Sequence, residues 1–345
     1  MRIFEGFQKG VNLGGWLSQF DEYDHNHFKT FITEKDFADI AALGVDHVRV
    51  PVDYNVIEND DCSIKESGYE YIEQAIKWCK QYNLHLLLDI HEVYGYSFDP
   101  FKKDMDREAF FYDEVLQERF FVLWENLAKH FGKYSDIVAF ELLNEIVLEE
   151  VYSAWNKVAD KVIRRIRKIA PDTYIVVGGV CYNNVTSVQL LDAPYDDKIV
   201  NNFHCYDPLI FTHQKAYWLD GMPDDLDISY PDDLENYRQK SEKFAKECMG
   251  AIFSEKITCV GPELFEALFS TAIEASKKNN APLYCGEYGV IDRTEIDDAL
   301  RWLKDINSVF IKYNIGRCLW NYKGKDFGLV DEHFGPYKEQ IAKLL

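Results

Sequence analysis

Two glutamates, Glu145 in LLNE and Glu287 in CGEYG, stand among residues whose types could together break a glycosidic bond. That cleavage uses a pair of carboxyl groups a few ångströms apart. One is protonated to assist the leaving oxygen, and the other is ionised to attack or to activate water. The polar residues that punctuate the other apolar runs fit this division of labour. Arg49 in HVRVP is always charged and would hold a nearby carboxylate ionised. Asn144, next to Glu145, could hydrogen-bond a sugar hydroxyl, a contact that can strengthen at the transition state. Trp320 in LWNY offers a flat apolar face for a sugar ring, and His91, His204 and Tyr206 complete the group. Singly, each has a plainer explanation. Glu287 could be a solvated loop charge, and Glu145 opens an acidic run with Glu149 and Glu150 that suits a solvated helix face. Arg49 and His91 alone would be satisfied structural groups. The recurrence of all of them at the ends of apolar runs is what points to a site.

Those runs are the elements that must position the site. Short apolar stretches lie near Val11, Val48, Leu87, Phe140, Val176, Asn202, Cys285 and Leu319, eight in all, separated by amphipathic segments. Helical spacing places Phe37, Ile40 and Ala41 on one stripe, then Tyr69, Ile72, Ile76 and Cys79, then Ile296, Leu300, Leu303 and Ile306. The sequence Ser67-Gly68-Tyr69-Glu70 reads as a capping box at the start of the second of these helices. The basic run Lys161 to Lys168 reads as the outer face of a helix, with Val162, Ile163 and Ile166 facing in. Strands alternating with helices argue for a parallel sheet. An open doubly wound sheet usually carries a Gly-rich turn after its first strand, whereas Asn12 to Trp16 contains no G-x-G-x-x-G. The expectation is therefore an α/β fold, one (β/α)8 barrel over residues 1–345, with its catalytic groups at the C-terminal ends of the strands. No strand is expected between His204 and Leu283, so residues 207–282 are expected to form a helical insertion over the catalytic face. Tyr217 and Trp218 there fit either a sugar platform or the insertion's own small core, and their place beside THQKA favours the platform.

Composition narrows the partners. Of 345 residues 38 are Lys or Arg and 59 are Asp or Glu, and the net charge of −21 would repel a phosphate backbone or an anionic membrane surface. With 47% hydrophobic residues the chain can bury a large core. The eight cysteines form no C-x-x-C pair and several lie in apolar runs, so buried thiols in a reducing compartment are expected. No apolar stretch has the length of a membrane span, and MRIFEGFQKG lacks the apolar core of a secretion signal, so a cytoplasmic location is expected. His25-Asn26-His27 has too little support for a metal site. No cofactor is expected, and the chain is expected to act as a monomer.

The ordered series RVP, DIH, LLNE, NFHCY, GEYG and LWNY resembles glycoside hydrolase family 5, the cellulase family, over essentially the whole length from GVNLGGW near Trp16 to LWNY near Trp320. The fragments FITEKD, FELLN, THQKA and YCGE are most like its clostridial endoglucanase C type. The resemblance implies a retaining β-glucosidic hydrolase acting on β-glucans or cello-oligosaccharides, with Glu145 as acid/base and Glu287 as nucleophile. It further implies that Arg49 and Tyr206 hold Glu287, and that His91, Asn144, His204 and Trp320 line the subsite at the scissile bond. The third-strand segment departs from the family, reading HEVYG where many relatives have a second His or a small residue. The GVNLGGW opening also resembles exo-acting β-1,3-glucanases of the same family, so endo and exo action, and the linkage, stay open.

Other classes fit less well. A Schiff-base aldolase needs a lysine at a strand end, and no candidate strand supplies one. A non-catalytic carbohydrate-binding barrel would commonly have lost one carboxylate, and this chain keeps both.

Overall fold

The computed structural model describes residues 1–242 and 251–345. All eight expected strands are present: β1 Lys9–Asn12, β2 His47–Asp53, β3 His85–Glu92, β4 Val138–Glu141, β5 Ile175–Gly178, β6 Ile199–Cys205, β7 Leu283–Tyr288 and β8 Gly316–Leu319. Each pairs in parallel with its sequence neighbour and β8 closes on β1, giving a (β/α)8 barrel. Strands buried on both faces need apolar residues at both parities. Outward-facing Val48, Val50, Leu86, Leu88, Phe140 and Phe203 pack under the helices. Inward-facing residues form successive floors. Leu87, Ala139, Val176, Val200, Tyr284 and Cys318 fill the lower floor, closed beneath by Phe4 and Phe7, whose rings stack 4.1 Å apart. Above it lie Asn12, Arg49, Asp89, Glu141 and Asn202, all fully buried, and above these the open end of the barrel.

The helices lock the strand ends that matter. Trp124 in helix Glu114–Phe131 donates its indole N–H to the Leu142 carbonyl at 3.0 Å, just below Glu145. Trp155 in helix Tyr152–Arg167 donates to Gly178 at 2.9 Å, and Trp302 in helix Ile296–Tyr313 donates to Asp207 at 2.9 Å. Each bond satisfies a carbonyl freed where the ladder stops, and so fixes the loop that leaves the strand. Val162, Ile163 and Ile166 are buried, as the periodicity of the basic run predicts.

Three expectations need correction. The second amphipathic helix spans Glu66–Tyr82 with Lys65 at its N-cap, so Ser67 to Glu70 lie inside its first turns and form no capping box. A capping box does occur at Thr33 and Asp36, ahead of helix Glu34–Ala42. The interval 207–282 is not all insertion. Short helices Leu209–Thr212 and Leu234–Ser241 belong to inserted chain, but Pro262–Lys278 packs beside Ile296–Tyr313 as an ordinary member of the outer ring. Finally, Cys62, Cys79, Cys205, Cys259, Cys285 and Cys318 are free thiols, whereas Cys181 is disulfide-bonded. Cys248 lies outside the described residues. Among the described residues, no helix is long and apolar enough to cross a membrane.

Candidate active site

Glu287 reaches the cleft through a break in the strand pattern. Tyr284 points into the lower floor, so strict alternation would turn Glu287 outward with Cys285. Against β6, however, Phe203 pairs with Cys285 and His204 with Glu287, leaving Gly286 as an extra residue. Such a bulge re-aims the side chain that follows it. Two asparagines pin the bulge: Asn202 Oδ1 accepts from the Gly286 amide at 2.9 Å, and Asn12 Nδ2 donates to the Gly286 carbonyl at 3.0 Å. A Cβ on residue 286 would sit 2.9 Å from the Asn202 amide group, so only glycine fits.

Beneath the cleft, Arg49 is surrounded. Its Nη1 donates to Glu287 Oε1 at 2.8 Å and to Asn12 Oδ1 at 3.0 Å. Its Nε and Nη2 grip Glu141 side-on at 2.7 and 3.0 Å, and Nη2 also meets Asn144 Oδ1 at 2.9 Å and Asp89 Oδ2 at 3.0 Å. One guanidinium thus faces three carboxyl groups in a buried layer, and burial pushes both Asp89 and Glu141 up to about 7 against the pull of Arg49. Tyr206 donates its hydroxyl to the second oxygen of Glu287 at 2.9 Å.

Glu145 meets a different setting. His204 Nδ1 lies 2.8 Å from Glu145 Oε1, and Asn183 Nδ2 lies 3.4 Å from His204 Nε2. With the Asn183 amide beside Nε2, His204 can offer an Nδ1 proton to Oε1 and leave the other oxygen of Glu145 open to the cleft. Burial drives His204 well below the usual imidazole range, so it stays neutral. Burial also raises both glutamates. For Glu145 the next contribution is the negative charge of Glu287, which raises it further. For Glu287 the next is Arg49, which opposes the rise. Glu145 therefore holds its proton more tightly than Glu287 does. A carboxylate oxygen from each glutamate and a ring nitrogen of His204 lie within 4.8 Å of one another. Among the described residues these three are also the group close enough to share a metal ion, although the two-carboxylate reaction requires none.

The cleft above has a volume of about 640 Å³ and is lined by Glu145, Glu287, His91, His204, Tyr206 and Trp320. Its wall also includes Trp218, which meets His213 edge-on at 6.0 Å and shares an apolar cluster with Trp320 and Phe327. Trp218 therefore both lines the cleft and packs against the small apolar cluster behind it. Trp320 lies parallel to His91 with ring centres 6.0 Å apart, and Gly14 makes room for it, since a Cβ there would meet the indole at 2.4 Å. His91 donates Nδ1–H to Asp89 at 2.6 Å, and burial and Arg49 push the imidazole down to about 4.

Of the residues singled out from sequence, Arg49 and Asn144 do not line the cleft. They lie under its floor, with the polar atoms of Asn144 engaged by Arg49 and, at 3.5 Å, by His91 Nε2. Glu141, Asn12 and Asn202 were not singled out; each lies in a strand, but only the pairing of the barrel shows that they face inward.

The family model for cellulase (glycosyl hydrolase family 5) matches residues 8–326. Cellodextrinase A of Ruminococcus flavefaciens is 43% identical over 312 residues, 90% of this chain and 84% of that protein. Endoglucanase C of Acetivibrio thermocellus is 39% identical over 344 residues, 98% of each. Among solved structures, endoglucanase Cel5A of Thermotoga maritima superposes with a TM-score of 0.74 at 21% identity, covering 99% of this chain and 97% of that one. The cellulose synthase subunit Z of Clostridioides difficile superposes with a TM-score of 0.77 at 23% identity, covering 98% and 99%.

Proposed function

Since the chain belongs to glycosyl hydrolase family 5 and is a glycoside hydrolase of the cellulase type, we propose that it cleaves β-glucosidic bonds in β-glucans or cello-oligosaccharides by double displacement, with Glu287 as nucleophile and Glu145 as acid and base. The carboxylate spacing carries this reading. One oxygen of each glutamate lies within 4.8 Å of the other, a close approach that suits retaining enzymes, whose carboxyl groups stand about 5–5.5 Å apart, better than inverting ones, which leave roughly 6.5–9.5 Å for a water.

Glu287, ionised beside Arg49 and aimed by Tyr206, attacks the anomeric carbon from below. The glycosidic oxygen leaves with the proton of Glu145. Once the glycosyl ester forms, Glu287 carries no charge, so one of the influences that raise Glu145 disappears. Glu145 is then the better base and deprotonates the water that opens the ester from the same face. Trp320 stacks beneath the sugar at the scissile bond, and His91 stands beside it. The enzyme acts within chains, as the names of its endoglucanase relatives suggest for them. Exo action is the alternative, suggested by the likeness of the GVNLGGW opening to exo-acting β-1,3-glucanases of the family.

Proton NMR of cellotetraose digestion tests the scheme: the new reducing end appears first as the β-anomer, and an α-anomer first would exclude it. Cellobiose as the main early product supports endo cleavage, whereas early release of glucose and cellotriose in equal amounts would assign exo action.

A further inference from the structure

One turn of the barrel grips both Glu145 and its imidazole neighbour. After β5 the chain runs Gly178-Gly179-Val180-Cys181-Tyr182-Asn183, and the last three residues carry φ of 58°, 56° and 56°. This is the left-handed region, which residues with a Cβ seldom occupy and then usually singly. Hydrogen bonds hold the turn there. The Tyr182 amide donates at 2.9 Å to the carbonyl of Ile146, the residue after Glu145, and the Asn183 carbonyl accepts from the His204 amide at 2.8 Å. The chain behind the acid is thus tied to the strand end that carries His204.

The side chain of Asn183 adds a further contact. It is fully buried, and its Nδ2 lies 3.4 Å from His204 Nε2. Glycine at 178 leaves room for it, since a Cβ there would meet Asn183 Oδ1 at 2.0 Å and Nδ2 at 2.5 Å. At the other end of the imidazole, Nδ1 stands 2.8 Å from Glu145 Oε1 and 3.7 Å from Glu287 Oε2. A neutral His204 carries one ring proton, and the two places for it have opposite consequences. On Nδ1 the proton points at Oε1, favours the ionised form of Glu145 and leaves the acid proton to the oxygen that faces the cleft. On Nε2 it leaves a lone pair at Nδ1. Oε1 would then hold the acid proton against the ring, where no leaving oxygen reaches it. An amide N–H on Nε2 permits only the first arrangement, whereas the carbonyl end of the same amide would impose the second. Asn183 Oδ1 has no hydrogen-bond partner where it lies, so the orientation of this one amide decides which oxygen of Glu145 is the acid.

We propose that Asn183 is a positioning residue for the acid. Its Nδ2–H donates to His204 Nε2, fixes the ring proton on Nδ1 and keeps the transferable proton of Glu145 on the cleft-facing oxygen. The role rests on the hydrolase reading of Glu145 and Glu287. Glu287, Arg49, Asp89 and Glu141 set the field at Glu145, and Arg49 and His91 set that at His204. The hydroxyls of Tyr96 and Tyr206 also face Glu145. A substitution at residue 183 leaves all of these in place, so a shift that it causes reports the ring proton.

Asn183→Gly tests the role, because glycine keeps the left-handed turn and removes the amide. The alkaline limb of kcat/KM on cellotetraose should move up by about half to one pH unit, the worth of one hydrogen bond between neutral groups. A limb that stays in place or moves down, whatever the overall rate, overturns the proposal, since a merely structural role lowers the rate at every pH alike. In nitrogen-labelled wild-type protein, proton–nitrogen correlation spectra of the histidine rings should show His204, identified by its absence in His204→Gln, with its proton on Nδ1. A proton on Nε2 overturns the proposal and leaves the hydrolase reading standing. Should Asn183→Gly lose its thermal transition, the wild-type spectrum decides alone. If wild-type protein does not hydrolyse cellotetraose, the failure lies in the hydrolase reading, and the role of Asn183 falls with it.

Discussion

Glu287 is buried and Glu145 half-buried, and their neighbours suit them to the different roles proposed for them. Arg49 and Tyr206 address both oxygens of Glu287, while Glu145 receives one neutral imidazole and the negative field of its partner. The rate should therefore follow a bell in pH. The acid limb of kcat/KM marks protonation of Glu287, and the alkaline limb marks loss of the Glu145 proton, displaced above the ordinary carboxyl range. Glu145→Gln should remove the alkaline limb and slow cello-oligosaccharide hydrolysis by about 10²–10⁴-fold. On a nitrophenyl glycoside, whose leaving group needs no proton, the loss in bond cleavage should be smaller. Equal losses on both substrates would mean that Glu145 is not the acid. The two glutamates were legible in the sequence because each closes an apolar run. The layer beneath was not, because Glu141 sits between Phe140 and Leu142 with nothing around it in the chain to mark it as inward-facing.

At the scale of elements, the eight strands were readable from their length and apolarity, and the helices from their stripes. Boundaries were less so. Ser67 to Glu70 has the composition of a cap, but Lys65 takes that place because the chain there must press against the strand-two loop. The reason is Gly68, where a Cβ would stand 2.0 Å from the Val56 carbonyl oxygen. Helix propensity alone predicts that Gly68→Ala gains about 0.5–1 kcal/mol. The contact predicts the reverse, a loss of about 1–3 kcal/mol, since backbone must move. Urea unfolding of the variant checks this, with a lowered midpoint expected and an unchanged slope. The bulge at Gly286 was equally invisible. CGEYG reads as a strand end, but only pairing with β6 reveals that an extra residue turns Glu287 inward.

For the whole molecule, the charge of −21 reads most simply as solubility, since its proposed substrate is neutral. Raising the salt concentration from 50 to 500 mM should change kcat/KM on cello-oligosaccharides by less than about twofold, because a neutral ligand gains nothing from steering. A steep salt dependence would point to a charged substrate. The stacking of floors inside the barrel has a different consequence. Phe4, Phe7 and the apolar floor shut the lower end, so Asp89, Glu141 and Arg49 exchange protons with solvent by way of the cleft. A sugar chain lying in that cleft closes the route. The charged layer then meets solvent only along the path that the incoming water takes, so its protonation should follow a change of outside pH more slowly with substrate bound than without.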